Sequence, residues 1–231
     1  MSSRPRIAIV GRFAEHASSI RYAGVVSARR LLESVWAAGG EPLTFLPVEN
    51  PDWAERLDGI AGVLLAGGGD INPARYGQAP ETDELYGIDD LQDDNDFSLA
   101  KYALDNGVPT LAICRGFQIV NVVRGGTLLQ HMPKDHRHHL HQIRLGDGAE
   151  NLGLSQLTLE ASCYHHQALD QLGQGLQVLA RSAEGNVEAV RIDAANWAFG
   201  VQWHPEDNAD SDAQQAELFA RFIFEARNFS S

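Results

Sequence analysis

The stretch Val108–Gln130, VPTLAICRGFQIVNVVRGGTLLQ, constrains this chain more than any other. Thr110–Ile113 is a short apolar run of the kind that fills a fully buried strand. Cys114 follows at once, then Arg115 and Gly116, then a helical pattern over Phe117–Val123 that Gly125 and Gly126 end. A cysteine at a sharp strand-to-helix turn, with glycine two residues on, predicts a nucleophile elbow. The first N–H groups of such a helix favour an anionic sulfur and an anionic intermediate. Gly116 lets the helix pass close to a strand where a Cβ would collide. Ala112, two residues before the cysteine, is small enough for the same approach. The competing reading is an ordinary buried cysteine at a strand end.

The rest of the chain supplies an α/β frame for that turn. Arg6–Val10, Glu41–Leu46 and Gly62–Leu65 read as strands, and Tyr22–Ala38 and Asp93–Asn106 as helices. Trp53–Leu57 reads as a short helix. Strands alternating with helices at this spacing predict a parallel sheet covered on both faces. In such sheets the site lies beyond the carboxyl ends of the strands. The glycine run Gly67–Gly69 and Cys114 both fall there. Asn72–Asp90 is a long polar loop at the edge of that site, and Thr127–Gln130 is a further strand. Leu157–Asp193 alternates short strands and turns, as antiparallel strands added to one edge would. Ala198–Trp203 is another apolar strand, and Asp212–Asn228 a closing amphipathic helix with Ala216, Leu218, Phe219, Phe222 and Ile223 inward.

Composition narrows the functional classes. With 231 residues, 44% of them hydrophobic, a single domain with a substantial core is expected. A net charge of −13 argues against nucleic-acid and anionic-membrane partners. Two cysteines, Cys114 and Cys163, make no disulfide framework, and Cys163 reads as core. The opening MSSRPRIAIV has too short an apolar run for a signal peptide, and no run is long enough to span a membrane. A cytoplasmic location is therefore expected.

A second cluster of chemistry lies at His204-Pro205-Glu206, after the last strand. Spacing of two puts both side chains on one side of an extended backbone. The carboxylate can then hold one imidazole nitrogen and aim the other outward, as a nucleophile–base pair requires. Alone, the tripeptide reads more readily as a surface turn. The segment His136–His141, HRHHLH, invites a metal reading, but its spacing matches no zinc framework and no Cys or carboxylate lies within it. No metal site is expected there, only a solvated segment leading into His141–Leu145. Asp93 and Asp96 read as helix caps.

Taken together, ICRGFQIVNVVRGGTLLQ, AGGGDINPARYG, YHHQAL and GVQWHPE resemble the class I glutamine amidotransferase-like family, and within it the γ-glutamyl-γ-aminobutyrate hydrolase group of the C26 cysteine peptidases. The resemblance covers nearly the whole chain. It implies a flavodoxin-like sheet with antiparallel edge strands, and a hydrolase that releases glutamate and an amine from a γ-glutamyl amide. Cys114 would be the nucleophile, His204 the base and Glu206 its orienter. Arg115 and either Gly68 or Gly69 would donate N–H groups to the oxyanion, and Gln118, His165, His166 and Gln167 would line the glutamyl pocket. No cofactor is implied, and the partner is a small-molecule γ-glutamyl amide. The chain ends just past its closing helix, which fits a protein that works alone; monomer and homodimer both stay open. Two other readings remain: a glutaminase subunit feeding ammonia to a synthase, and a non-catalytic relative that binds a ligand or protein.

Overall fold

The structure, a computed structural model, describes residues 4–133 and 136–229, apart from the side chains of residues 138 and 139. The first three residues of the opening segment, and those two histidine side chains, thus lie outside the described residues. In chain order, β1 (Arg6–Val10) is followed by a small ribbon, β2 (Arg12–Ala14) and β3 (Gly24–Val26), then α1 (Arg29–Ala37) and β4 (Glu41–Phe45). Next come α2 (Trp53–Arg56), β5 (Gly62–Leu65), α3 (Asp90–Asp105), β6 (Thr110–Ile113) and α4 (Arg115–Val123). The second half holds β7 (Leu128–Leu129), β8 (His136–Leu145), β9 (Thr158–His165), β10 (Ala168–Leu169), β11 (Leu176–Ser182), β12 (Val187–Ile192), β13 (Ala198–Val201) and α5 (Ala213–Asn228).

Nine of the strands form one sheet in the order β4-β1-β5-β6-β13-β12-β11-β8-β9. The first five are parallel to one another. Numbered along the chain they run 2-1-3-4-5, the flavodoxin-like winding, with its order reversal at β1. The last four continue antiparallel. The residue pattern explains the division. Strands β5, β6 and β13 are buried at every position and, but for Thr110, apolar, because helices cover both faces. β9 instead alternates, with Leu159, Ala161, Cys163 and His165 inward. On one face Ile7, Ile9, Leu64 and Leu111 meet Leu31 and Val35 of α1 and Leu218, Phe219 and Phe222 of α5. On the other, Ala8, Val63, Leu65 and Ala112 meet Leu99 and Ala103 of α3 and Phe117 and Val120 of α4. Each of the Val, Leu, Ile and Phe side chains contributes about 1.5–3 kcal/mol by leaving water.

Two expectations are corrected. The helix expected over Tyr22–Ala38 begins at Arg29, and Gly24–Val26 pairs as a strand with Arg12–Ala14. Gly24 weakens a helix and Val25 and Val26 favour extended backbone; Val25 also packs over Gly11, where any Cβ would collide with it. The histidine-rich segment is more regular than expected, with Leu140 still exposed. It is the first half of β8, and His136 is fully buried. Among the described residues no helix is long and apolar enough to cross a membrane.

Candidate active site

The backbone at Cys114 is strained. Its φ of 52° and ψ of −105° lie where non-glycine residues are rarely found, at a cost of about 1–3 kcal/mol. The turn is held from both sides: the Cys114 N–H donates to Val201 of β13 at 2.8 Å, and α4 starts at the next residue. Gly116 has no room for a side chain, since an added Cβ would overlap the Leu65 carbonyl and lie 2.6 Å from Leu65 Cβ. So the helix packs against β5 as the sequence indicates, and the sulfur sits at the helix N-terminus with 5% of the residue exposed.

His204 emerges from the neighbouring β13, its N–H bonded to Ser162 of β9 at 2.8 Å. Its Nδ1 lies 2.8 Å from Glu206 Oε1. The two side chains meet through a tight 3₁₀ turn over Pro205–Asp207, not through extended backbone as expected. Pro205 fits the first position of such a turn, where no N–H is needed. Cys114 lies close enough to the imidazole to favour its charged form. Burial disfavours its charged form, but the Cys114 charge and then Glu206 outweigh this and raise its pKa well above the ordinary value.

A third element closes on this pair from β5. A Cβ at Gly67 would lie 2.9 Å from His204 Cε1 and 3.7 Å from Cys114 Cβ, so Gly67 is the glycine of the run that touches the pair. Gly68 lies against Arg12 and Arg115, and Gly69 against Gly87 of the polar loop. Arg12 pins the run: Nε donates to the Gly67 carbonyl at 2.9 Å and Nη2 to that of Ala66 at 2.8 Å. Its Nη1 reaches Asp96 at 2.6 Å. Arg115, 3% exposed, forms ion pairs with both Asp93 and Asp96. Asp93 and Asp96 are therefore not caps; Asp89 caps α3, accepting from the Gln92 N–H. These carboxylates lock the residue after the nucleophile to α3. Arg12 was not singled out in the sequence, although its place just beyond β1 was a usable signal.

The remaining candidates lie around this centre. Gln118 is buried on α4 and donates to Gln202 at 3.2 Å. His166 is buried with Nε2 between the carboxylate oxygens of Asp70, at 3.0 and 3.1 Å, and Nδ1 facing His131 Nδ1 at 3.1 Å. Gln167 donates to the Gln130 carbonyl. His165 turns its Nδ1 to the Gln167 carbonyl at 2.9 Å and its Nε2 toward Glu188. Asp70 also holds the polar loop, accepting from the Tyr86 N–H while its own N–H donates to the Tyr86 carbonyl. Tyr86 stays neutral, pushed up to about 12 by burial and then by Asp70 and Cys114. A cleft of about 440 Å³ opens beside His204, lined by Arg12, Ala66, Gly67, Tyr164 and Glu206 among others.

The chain is similar to known proteins in sequence and in fold. The chain is 38% identical to a glutamine amidotransferase-like protein of Mycobacterium tuberculosis over 77% of its own length, and spans 61% of that relative. It is 32% identical to the γ-glutamyl-γ-aminobutyrate hydrolase PuuD of Escherichia coli, covering 84% of each chain. Among solved structures, a GMP synthase subunit-like protein of Thermoplasma acidophilum superposes with a TM-score of 0.69 at 18% identity, over 97% of this chain and 95% of that one. A glutamine amidotransferase of Thermotoga maritima gives 0.64 at 15% identity, over 98% and 99%. The Peptidase C26 family model matches residues 5–206, from the first sheet strand through Glu206. The chain belongs to the peptidase C26 family, built on the class I glutamine amidotransferase fold.

Proposed function

We propose that this protein hydrolyses γ-glutamyl amides, with Cys114 as nucleophile, His204 as base and Glu206 as its positioning residue. The observation that carries this is the strained Cys114 backbone, which presents the sulfur to an imidazole whose far nitrogen is tied to a carboxylate. The thiolate adds to the δ-carbonyl of the γ-glutamyl group, and the C–O π electrons move to oxygen. Backbone N–H groups of Arg115 and of the Gly68–Gly69 segment receive that oxyanion, each donor worth about 3–4 kcal/mol in comparable acyl transfers. His204, protonated, gives its proton to the departing nitrogen as the C–N bond breaks. Water then loses a proton to His204, attacks the thioester and releases glutamate and Cys114. The likeness to a γ-glutamyl-γ-aminobutyrate hydrolase supports an amine half larger than ammonia.

The relatives described as glutamine amidotransferases favour a second reading, transfer of ammonia from glutamine to a partner synthase. The two are separated by comparing kcat/KM for glutamine with that for γ-glutamyl-γ-aminobutyrate and γ-glutamyl-polyamines, using pure protein without ATP. The proposal expects at least one amide to be preferred to glutamine. Preference for glutamine, or activity that needs an added synthase, moves the assignment to the second reading.

A further inference from the structure

β8 and β9 pair antiparallel so that His136 faces His165 across the strands, and Cys163 lies two residues before His165 on the same inward face. A ring nitrogen of each histidine and the Cys163 Sγ all lie within 4.8 Å of one another. The two imidazoles meet edge to face, 5.0 Å between centroids. Glu188, from β12, approaches both imidazoles. Its Oε1 is 3.8 Å from His136 Nδ1 and its Oε2 is 4.0 Å from His165 Nε2. His136, Cys163, His165 and Glu188 are all buried, at 0, 1, 4 and 0% exposure.

The second observation concerns Glu188 and His165. Among the described residues, neither carboxylate oxygen of Glu188 has a hydrogen-bond partner, and neither does His165 Nε2. A buried carboxylate with nothing donating to it costs several kcal/mol unless it is neutralised or coordinated. Water-exposed acids cluster without consequence, but this carboxylate is fully buried and faces two imidazoles.

We propose that His136, Cys163, His165 and Glu188 form a closed, four-coordinate site for a thiophilic divalent cation of the zinc class. One thiolate and one carboxylate balance the two positive charges, so the filled site is neutral in an apolar setting. Mixed sulfur, imidazole and carboxylate donors suit Zn²⁺ and exclude Mg²⁺ and Ca²⁺, which take oxygen ligands. Zinc bond lengths set tetrahedral donors about 3.3–3.6 Å apart, so the three donors within 4.8 Å must draw together and Glu188 must swing in from 3.8 and 4.0 Å to complete the site. Four protein ligands leave no open position, which makes the site structural. It would tie β12 to the β8–β9 hairpin, the same β9 whose Ser162 carbonyl holds the His204 N–H.

The test uses the full chain, stripped with a chelator and dialysed, then titrated with Co²⁺ and separately with Zn²⁺. The site predicts uptake of one Co²⁺ per chain, tetrahedral d–d absorption, a sulfur-to-cobalt charge-transfer band, and a rise in Tm with Zn²⁺. Cys163→Ala must abolish the charge-transfer band, while Cys114→Ala must keep it. Glu188→Gln and His165→Asn, each checked for fold by circular dichroism, must weaken Co²⁺ binding by at least about tenfold. No Co²⁺ uptake, or a band that survives Cys163→Ala and is lost in Cys114→Ala, overturns the proposal. So does a Zn²⁺-induced Tm rise of equal size in wild type, Cys163→Ala and Glu188→Gln. None of these readouts depends on turnover, so the hydrolase reading stands or falls separately.

Discussion

Nδ1 of His204 and Oε1 of Glu206 lie 2.8 Å apart across Pro205, and this contact fixes which imidazole nitrogen is left for Cys114. The charges of Cys114 and Glu206 raise the His204 pKa in spite of burial. The sign follows. A group whose folded pKa exceeds its unfolded value, about 6.5 for histidine, contributes its stabilisation in full below that value. It loses the contribution as pH rises through the folded pKa. Glu206→Gln removes one raising charge, so the alkaline limb of the kcat/KM profile moves to lower pH and kcat falls. His204→Ala costs more, on the order of 10²–10⁴-fold or beyond, because base and proton donor are both lost. Profiles of the two variants check this; an unmoved alkaline limb in Glu206→Gln would remove the carboxylate from its positioning role.

The strain at Cys114 makes two inactive variants differ in stability. Alanine keeps a Cβ in the same unfavourable backbone conformation. Glycine relieves it, less its own unfolded-state entropy. Both Cys114→Ala and Cys114→Gly should lack turnover, with the glycine variant the more stable by about 1 kcal/mol. Urea denaturation of the two folded proteins measures the difference. Turnover in folded Cys114→Ala would end its assignment as nucleophile.

Asp96 accepts from both Arg12 and Arg115 in a buried position. Asp96→Ala leaves two guanidinium groups short of a partner, and should cost about 3–5 kcal/mol. Glu33→Ala, which breaks the exposed α1 pair with Arg29, should leave the denaturation midpoint nearly unchanged. Activity of Asp96→Ala, assayed well below its new midpoint, should also fall, because Arg115 orients the N–H that follows the nucleophile.

Gly116 is a steric requirement. A methyl group there overlaps the backbone of Leu65 and not a flexible side chain, so nothing nearby can yield cheaply. Gly116→Ala should lose about 1–3 kcal/mol or more and displace α4 from β5. The fold-stability loss and the drop in kcat should appear together. A fully stable, fully active Gly116→Ala would mean that α4 can shift without disturbing Cys114.

Local sequence determined a great deal here. The apolar runs β1, β5 and β6 are legible because strands buried on both faces need no alternation, and Cys114 with Gly116 is legible because few residue types tolerate so sharp a turn. His204 and Glu206 were readable as a pair because they are two residues apart. Tertiary structure decided what involves distant segments. Val25 and Val26 left the expected helix because Arg12–Ala14 offered a strand partner and Gly11 a place to pack. Asp93 and Asp96 became ion-pair partners because the elbow delivers Arg115 to α3. The histidine-rich segment carried no ligand spacing of its own. His136 gains Cys163, His165 and Glu188 as neighbours through strand pairing and through the start of β12, and such proximity is set by register and sheet order, which no spacing within one segment encodes.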